Sequence, residues 1–223
     1  MKILCTICAR GGSKGVKNKN IKLINKRPLI SYTIKQAKKS KLFDKIVVST
    51  DSKNIQKCAQ KFGAESWFLR PKKLASDQSQ KVPVIQHTLR ESEKYFKKKF
   101  DIIIDLDVSS PLRNIQDIKK ALVFFKKKKG EILMSGCKSR KNPYFNVVEI
   151  TNGKLKRAKV MKKNIFRRQD APRTYDCNAS IYIWKRKSLL DFKTFYKSKT
   201  VFFIMPESRS WDIDLSLIHI SEP

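Results

Sequence analysis

The sequence predicts an α/β fold, a mostly parallel sheet with helices on both faces. Two observations predict it. Short apolar runs alternate along the chain with stretches of helical periodicity. The apolar runs are continuous rather than alternating, as in strands buried on both faces.

The elements follow in order. Residues 2–8 read as a buried strand, and 10–20 as a Gly/Lys/Asn loop. From Pro28 to Lys39 the apolar residues Leu29, Ile30, Tyr32, Ile34 and Ala37 recur at helical spacing, with Pro at the start. Ile46-Val47-Val48 marks a short strand within 45–49. Asp51 or Ser52 then caps a helix over 55–62, closed by Gly63. A helix over 82–96, a strand at 102–104, a helix over 116–127 and a strand over 132–137 continue the alternation. After that the pattern changes. Residues 146–150, an Asn152-Gly153 turn and Leu155 onward read as a β-hairpin. Residues 178–184 and 201–204 are the last two strands. An excursion over about 138–176 thus interrupts a single domain spanning 1–223, with no internal repeat and no linker.

The chain has 223 residues, long enough to bury a sizeable core, and 40% hydrophobic content with 13 Phe and 3 Trp excludes a disordered chain. No apolar run approaches the ~20 residues that span a bilayer, so a soluble, cytoplasmic protein is expected. Lys+Arg exceed Asp+Glu 51 to 19, a net charge of +32. Yet Lys outnumbers Arg 39 to 12, the lysines are spread along the chain, and no basic motif is interleaved with aromatics. That distribution describes a solvated surface better than a nucleic-acid footprint. Lys97 to Lys99 and Lys126 to Lys129 fall at helix C-termini, where cations suit the dipole. The five Cys, at 5, 8, 58, 137 and 177, form no zinc pattern with only His87 and His219 available. Cys5 and Cys8 lie in one strand and point to opposite faces.

In open α/β sheets ligands bind beyond the carboxyl ends of the strands. Three polar clusters sit there: Ala9-Arg10-Gly11-Gly12-Ser13-Lys14-Gly15 with Lys19-Asn20, then Ser49-Thr50-Asp51-Ser52, then Asp105 to Arg113. Glycines let a backbone approach phosphate closely, and Arg10, Lys14 and Lys19 supply charge. The spacing is neither a dinucleotide fingerprint nor a P-loop. Asp212 and Asp214 are two residues apart, so in an extended segment both carboxylates share a face and can converge on Mg²⁺ or another divalent cation. On charge alone, Arg167 and Arg168 allow a carboxylate clamp or a solvated basic turn equally. No Ser–His–Asp or Cys–His set exists, since His87 falls mid-helix. A phosphate cradle, a metal pair and basic groups are equipment for nucleotidyl or phosphoryl transfer.

With these residues together, the chain resembles the bacterial acylneuraminate cytidylyltransferases. The matching segments are Ala9 to Gly15 with Lys19-Asn20, Ser49-Thr50-Asp51, Phe68-Leu69-Arg70-Pro71 with Leu74-Ala75-Ser76-Asp77, Ser110-Pro111-Leu112-Arg113, Arg168 to Pro172, Asn178 to Tyr182, and Asp212-Ile213-Asp214. They run in family order over residues 1 to about 214. Asp105 to Arg113 and Lys141 to Asn146 look most like the branch that makes CMP-legionaminic acids.

The resemblance implies a Rossmann-like nucleotidyltransferase core and a homodimer in which the excursion reaches the partner's site. It implies that CTP and a nine-carbon 2-keto sugar acid give a CMP-sugar and pyrophosphate. Carried over by position, Arg10, Gly11, Gly12, Ser13, Lys19, Asn20, Arg70, Asp77 and Ser79 would hold the nucleotide. Asp107, Arg168, Gln169 and Tyr182 would face the sugar, and Asp212 and Asp214 would bind the metal. Arg10, Lys19 and Asp212 would carry the transfer step. No nucleic acid or membrane partner is implied; the alternatives are a 3-deoxy-octulosonate cytidylyltransferase or a basic nucleic-acid-binding protein. Two departures stand out. Asp107-Val108-Ser109 replaces the Gln-Pro-Thr of many members, placing a carboxylate where a sugar acid is expected. The residues after Leu215 do not resemble the family, as if truncated or foreign.

Overall fold

The computed structural model describes residues 1–12, 16–76, 79–161, 167–197 and 199–213. Ser13, Lys14, Asp77, Asp214 and the segment after Leu215 therefore lie outside the described residues, as does the Arg168 side chain.

The central sheet has six strands. The first three in chain order of the parallel set are β1 (Ile3–Cys8), β4 (Lys45–Ser49) and β5 (Ile102–Leu106). Between β1 and β4 lie a two-strand ribbon, β2 (Leu23–Ile24) and β3 (Arg27–Pro28), and helix α1 (Leu29–Ser40). The rest of the sheet is β6 (Ile132–Lys138), β9 (Tyr175–Lys185) and β10 (Thr200–Ile204). The strand order is β10-β6-β9-β5-β1-β4. All pairs are parallel except those of β9, which runs antiparallel to both β5 and β6. The mostly parallel expectation holds, and β9 is the exception because it returns from the excursion against the strand direction.

Helices α2 (Lys53–Lys61), α3 (Lys81–Phe96), α4 (Ile115–Lys127) and the short α5 (Arg186–Leu190) complete the layers. Their ends follow the local chemistry. Ser52 caps α2 by accepting from the Ile55 amide. Asn114 and Asp117 form a reciprocal capping box at α4. Gly63 takes φ 82° just past α2, a left-handed turn that glycine adopts at no steric cost.

Two apolar layers cover the sheet. One, with Cys5, Ile7, Ile34 and Ile104, lies under α1, α2 and α4; the other, with Leu4, Leu89, Ile103 and Trp184, lies under α3 and α5. Cys5 packs in the first and Cys8 against the second, the opposite-face arrangement expected of a strand. The described cysteines are all free thiols.

The β6–β9 pairing slips between Met134 and Gly136. There β9 bulges, with Ala179 at φ 50°, a strained value for a residue with a Cβ. Asn178 braces the bulge. Its Oδ1 accepts from Ser135 Oγ (2.7 Å) and the Ser180 amide (3.2 Å), and its Nδ2 donates to Ser210 Oγ (3.0 Å). The excursion carries β7 (Val148–Thr151) and β8 (Lys154–Arg157), a hairpin turned at Asn152-Gly153 as expected. Every residue of these two strands is exposed.

Candidate active site

The carboxyl ends of β4, β1 and β5 lie side by side, so their three polar clusters meet. After β1 the Gly11 amide donates to Asp51 Oδ1 (2.8 Å), tying the glycine loop to the end of β4. A Cβ on Gly11 would lie 3.0 Å from Ser52 Cβ, so close packing against the start of α2 explains this glycine. The chain then returns through a single short turn of helix, Lys19–Ile21, where Asn20 Nδ2 donates to the Arg10 carbonyl (2.8 Å).

A cleft of about 340 Å³ opens over these strand ends. Arg10, Lys19, Asn20, Arg70, Ser76, Ser79, Lys81, Asp107 and Ser109 line it, with Cys8, Leu74 and Val84. Five residues expected to hold the nucleotide thus converge on one cavity. Arg70 is buried, and much of its guanidinium is spent on the scaffold: Nε donates to Ser49 Oγ (3.2 Å) and Nη2 to the Ser49 carbonyl (2.5 Å). It walls the cleft while holding the end of β4. Arg10 Nη1 donates to the Ser76 carbonyl (3.3 Å), linking the glycine loop to the opposite rim.

Deeper in the cleft sits a charge cluster whose acids sequence reasoning named and whose cation, Lys81, it missed. Lys81 Nζ lies 3.0 Å from Asp105 Oδ2 and 2.6 Å from Asp107 Oδ2. Asp105 is fully buried on β5, and its other oxygen accepts from Thr6 Oγ1 (2.8 Å) and Cys8 Sγ (3.5 Å). Burial alone would raise the Asp107 carboxyl, but Lys81 and the Ser109 donors outweigh it and hold Asp107 well below the usual carboxylate range. Burial likewise disfavours the Lys81 ammonium, and the two carboxylates reverse that and keep it charged far into alkali. The Cys8 thiol is pushed well up by burial and then by Asp105, so it stays protonated and is no nucleophile.

Arg113 locks the loop that follows β5. It is fully buried and donates to the Ser180 carbonyl (2.7 Å), the Asp107 carbonyl (3.2 Å), Thr33 Oγ1 (3.2 Å) and Gln36 Oε1 (3.0 Å). Burial pushes its guanidinium down to about 10, against the pull of Asp107, Cys5 and Asp105. The motif residue Arg113 is therefore scaffold, joining α1, β5 and β9.

The C-terminal strap runs to the same loop. The Ile213 amide donates to the Ser109 carbonyl (2.8 Å), and Ser110 Oγ donates to Asp212 Oδ1 (2.6 Å). Upstream, Arg209 pairs with Asp117 at the start of α4 through Nε and Nη2 (2.8 and 2.9 Å). Asp212 is thus brought beside the β5 loop. Among the described residues no three His, Cys, Asp or Glu side chains form a metal cluster. The donors present are oxygens without imidazole or thiolate, which suits a hard cation that also takes phosphate oxygens.

The remaining expected residues separate. Tyr182, on β9, lies in an adjoining recess of about 380 Å³ with Trp184, Phe192, Phe195, Tyr196 and Lys81. Its ring lies 5.1 Å from Lys81 Nζ and stacks on Trp184. Gln169 does not join the cleft of its own chain. It lines a separate groove with Lys138, Asn142 and Pro172 on the excursion.

Comparison with known proteins fits this geometry. The cytidylyltransferase family model matches residues 4–218. The chain is 51% identical over 215 residues to the CMP-N,N'-diacetyllegionaminic acid synthase of Campylobacter jejuni, covering 96% of this chain and 91% of that one. It is 30% identical to the N-acylneuraminate cytidylyltransferase of Escherichia coli over 96% of this chain and 49% of that longer protein. Among solved structures, the CMP:2-keto-3-deoxy-manno-octonic acid synthetase complexed with CTP superposes with a TM-score of 0.69 at 16% identity, covering 99% and 96% of the two chains. At that identity the likeness speaks for the fold, a Rossmann-like nucleotidyltransferase core. By its family model and by its relatives, the chain belongs to the cytidylyltransferase family of nucleotidyltransferases.

Proposed function

We propose that this protein couples CTP to a nonulosonic acid of the legionaminic type, giving the CMP-sugar and pyrophosphate. The observation that carries the reading is the cleft itself, where Arg10, Lys19 and Asn20 meet Ser76 and Ser79 beyond the carboxyl ends of the strands. The 51% identity to a CMP-N,N'-diacetyllegionaminic acid synthase supports the choice of acceptor.

Arg10 and Lys19 bind the triphosphate by charge-assisted hydrogen bonds, aided by the Gly11-Gly12 backbone. Ser13 and Asp77 belong to the same nucleotide set by position, with Arg70 and Ser79 on the walls. The sugar acid lies toward Asp107, Tyr182 and the aromatic recess. Its anomeric hydroxyl attacks the α-phosphorus; the new O–P bond forms as the bond to the β-phosphate breaks, pyrophosphate leaves, and the hydroxyl proton passes to solvent. Among the described residues no cleft side chain is placed as a histidine or thiolate base, so positioning and charge stabilisation carry the rate. Asp212 and Asp214 would hold Mg²⁺, which supplies neutralisation of phosphate charge when bound.

We take the whole chain to act as one domain, in the cytoplasm, as a homodimer. The exposed Val148, Ile150 and Leu155 of the hairpin and the groove at Gln169 support a partner there. Arg168 and Gln169 would then serve the partner's cleft.

The test is pyrophosphate release with each nucleoside triphosphate against a panel of nonulosonic acids. Turnover should require CTP and a divalent cation and should favour legionaminic acids. Asp212→Asn should remove most metal-dependent turnover. Equal rates with UTP or ATP would overturn the nucleotide assignment, and undiminished rates in EDTA would overturn the metal role.

A further inference from the structure

Asp107 occupies a position where a carboxylate is awkward. A cleft that must admit two anionic substrates exposes this acid, whose side chain is 23% accessible. Most of its hydrogen-bonding capacity is already committed. Oδ1 accepts from the Ser109 amide and Ser109 Oγ, both at 2.8 Å, and Oδ2 accepts from Lys81 at 2.6 Å. Lys81 also reaches the buried Asp105 and lies beside the ring of Tyr182. It is the first residue of α3 and lines both the main cleft and the aromatic recess.

We propose that Lys81 is a positioning residue that determines how this site accepts an anionic sugar acid. It holds Asp107 turned onto Lys81 and Ser109 and cancels its charge at the boundary between cleft and recess. Of the cations that line the cleft, Lys81 is the one shown in contact with both carboxylates, Asp105 and Asp107, with the buried Arg113 in their field. Removing Lys81 takes away the cation in contact with Asp107 and leaves that negative charge facing the point where the acid must enter. Asp107 then acts through Lys81 and does not itself contact the sugar. This inference rests on the reading of the cleft as a sugar-acid site.

The experiment is steady-state kinetics on the full chain, varying the sugar acid at saturating CTP and the reverse, with melting temperature as the check on folding. A charge-assisted contact of this kind is worth roughly 10- to 100-fold, so Lys81→Met should raise KM for the sugar acid by about that factor. KM for CTP and kcat should change by less than about 3-fold. Lys81→Arg keeps the charge and should stay near wild type. Lys81→Met/Asp107→Asn should recover most of the loss. Asp107→Asn alone is decisive even if Lys81→Met fails to fold. It leaves the cleft more positive, so KM for the acid should hold or fall, whereas a direct sugar contact by Asp107 requires it to rise. A rise in that variant, an unaffected Lys81→Met, or a double variant as impaired as Lys81→Met overturns the proposal. If wild type turns over no nonulosonic acid with CTP, the proposed function fails and takes this inference with it. Wild-type turnover with any of those variant results overturns this inference alone.

Discussion

The loop after β5 and the β7–β8 hairpin both leave the sheet at a strand end, and they are built in opposite ways. In the loop, Ser110 and Arg113 are buried, and Arg113 alone ties together α1, β5 and β9. Among the described residues the hairpin strands pair only with each other, and Ile150 and Leu155 stand 75% and 69% exposed. An isolated two-stranded hairpin is marginal in water. The loop is a finished surface whose geometry needs nothing from outside the chain. The hairpin has apolar residues that gain only when something covers them. One region is fixed by its own buried hydrogen bonds, and the other leaves its apolar side chains to solvent within the single chain.

The largest expected effect comes from breaking the finished region. Arg113→Met should cost about 3–5 kcal/mol of stability, because it strands buried acceptors and unbalances Asp105 and Asp107. Urea denaturation reads this directly, and a loss below about 1 kcal/mol would mean that the loop is not braced as described. Next comes Arg10→Ala, which should lower kcat/KM by roughly 10- to 100-fold without unfolding the protein. Lys98→Ala, beyond the end of α3 and outside the cleft, is the control, and equal small effects at both sites would remove Arg10 from the phosphate site.

The hairpin predicts a different signature. Ile150→Lys with Leu155→Lys should leave the melting temperature of the core within a few degrees, since neither side chain packs on the sheet. Self-association should weaken, as seen by sedimentation, and turnover should fall with it. A monomeric wild type of full activity would show that the hairpin faces no second copy. The smallest effect is expected at His87. Burial lowers its pKa, its ring meets Phe68 edge-on, and it lies outside the cleft. His87→Ala should therefore keep activity within about 3-fold at the cost of that ring contact.

The contrast also explains what could be read in one dimension. The parallel core was legible because continuous apolar strands such as Ile102 to Ile104 and helices with caps such as Ser52 are local signals. The place of Arg10, Lys19 and Asn20 in the cleft was legible because they follow the first strand directly. Lys81 was not. It is one lysine among many in a chain of net charge +32, and its partner Asp107 lies 26 residues away. Asp107 looked like a free acid facing a sugar because its neutralising partner is absent from its own segment. Arg113 looked like part of a binding motif and proved to be a brace, since its acceptors come from residues 33, 36, 107 and 180.

The sequence by itself determined the strand–helix alternation, the glycine loop after β1, the hairpin turn at Asn152-Gly153 and the family. All of these depend on spacing along the chain or on motifs in order. Only the tertiary structure decided that β9 runs against its neighbours, that Gln169 stands away from its own cleft, and that Asp212 meets Ser110. It alone decided that Lys81, Asp105 and Asp107 share their charges. The physical reason is that hydrogen bonds and Coulomb energies depend on distances of about 3 Å in space, and residues far apart in the chain acquire such distances only when the sheet assembles.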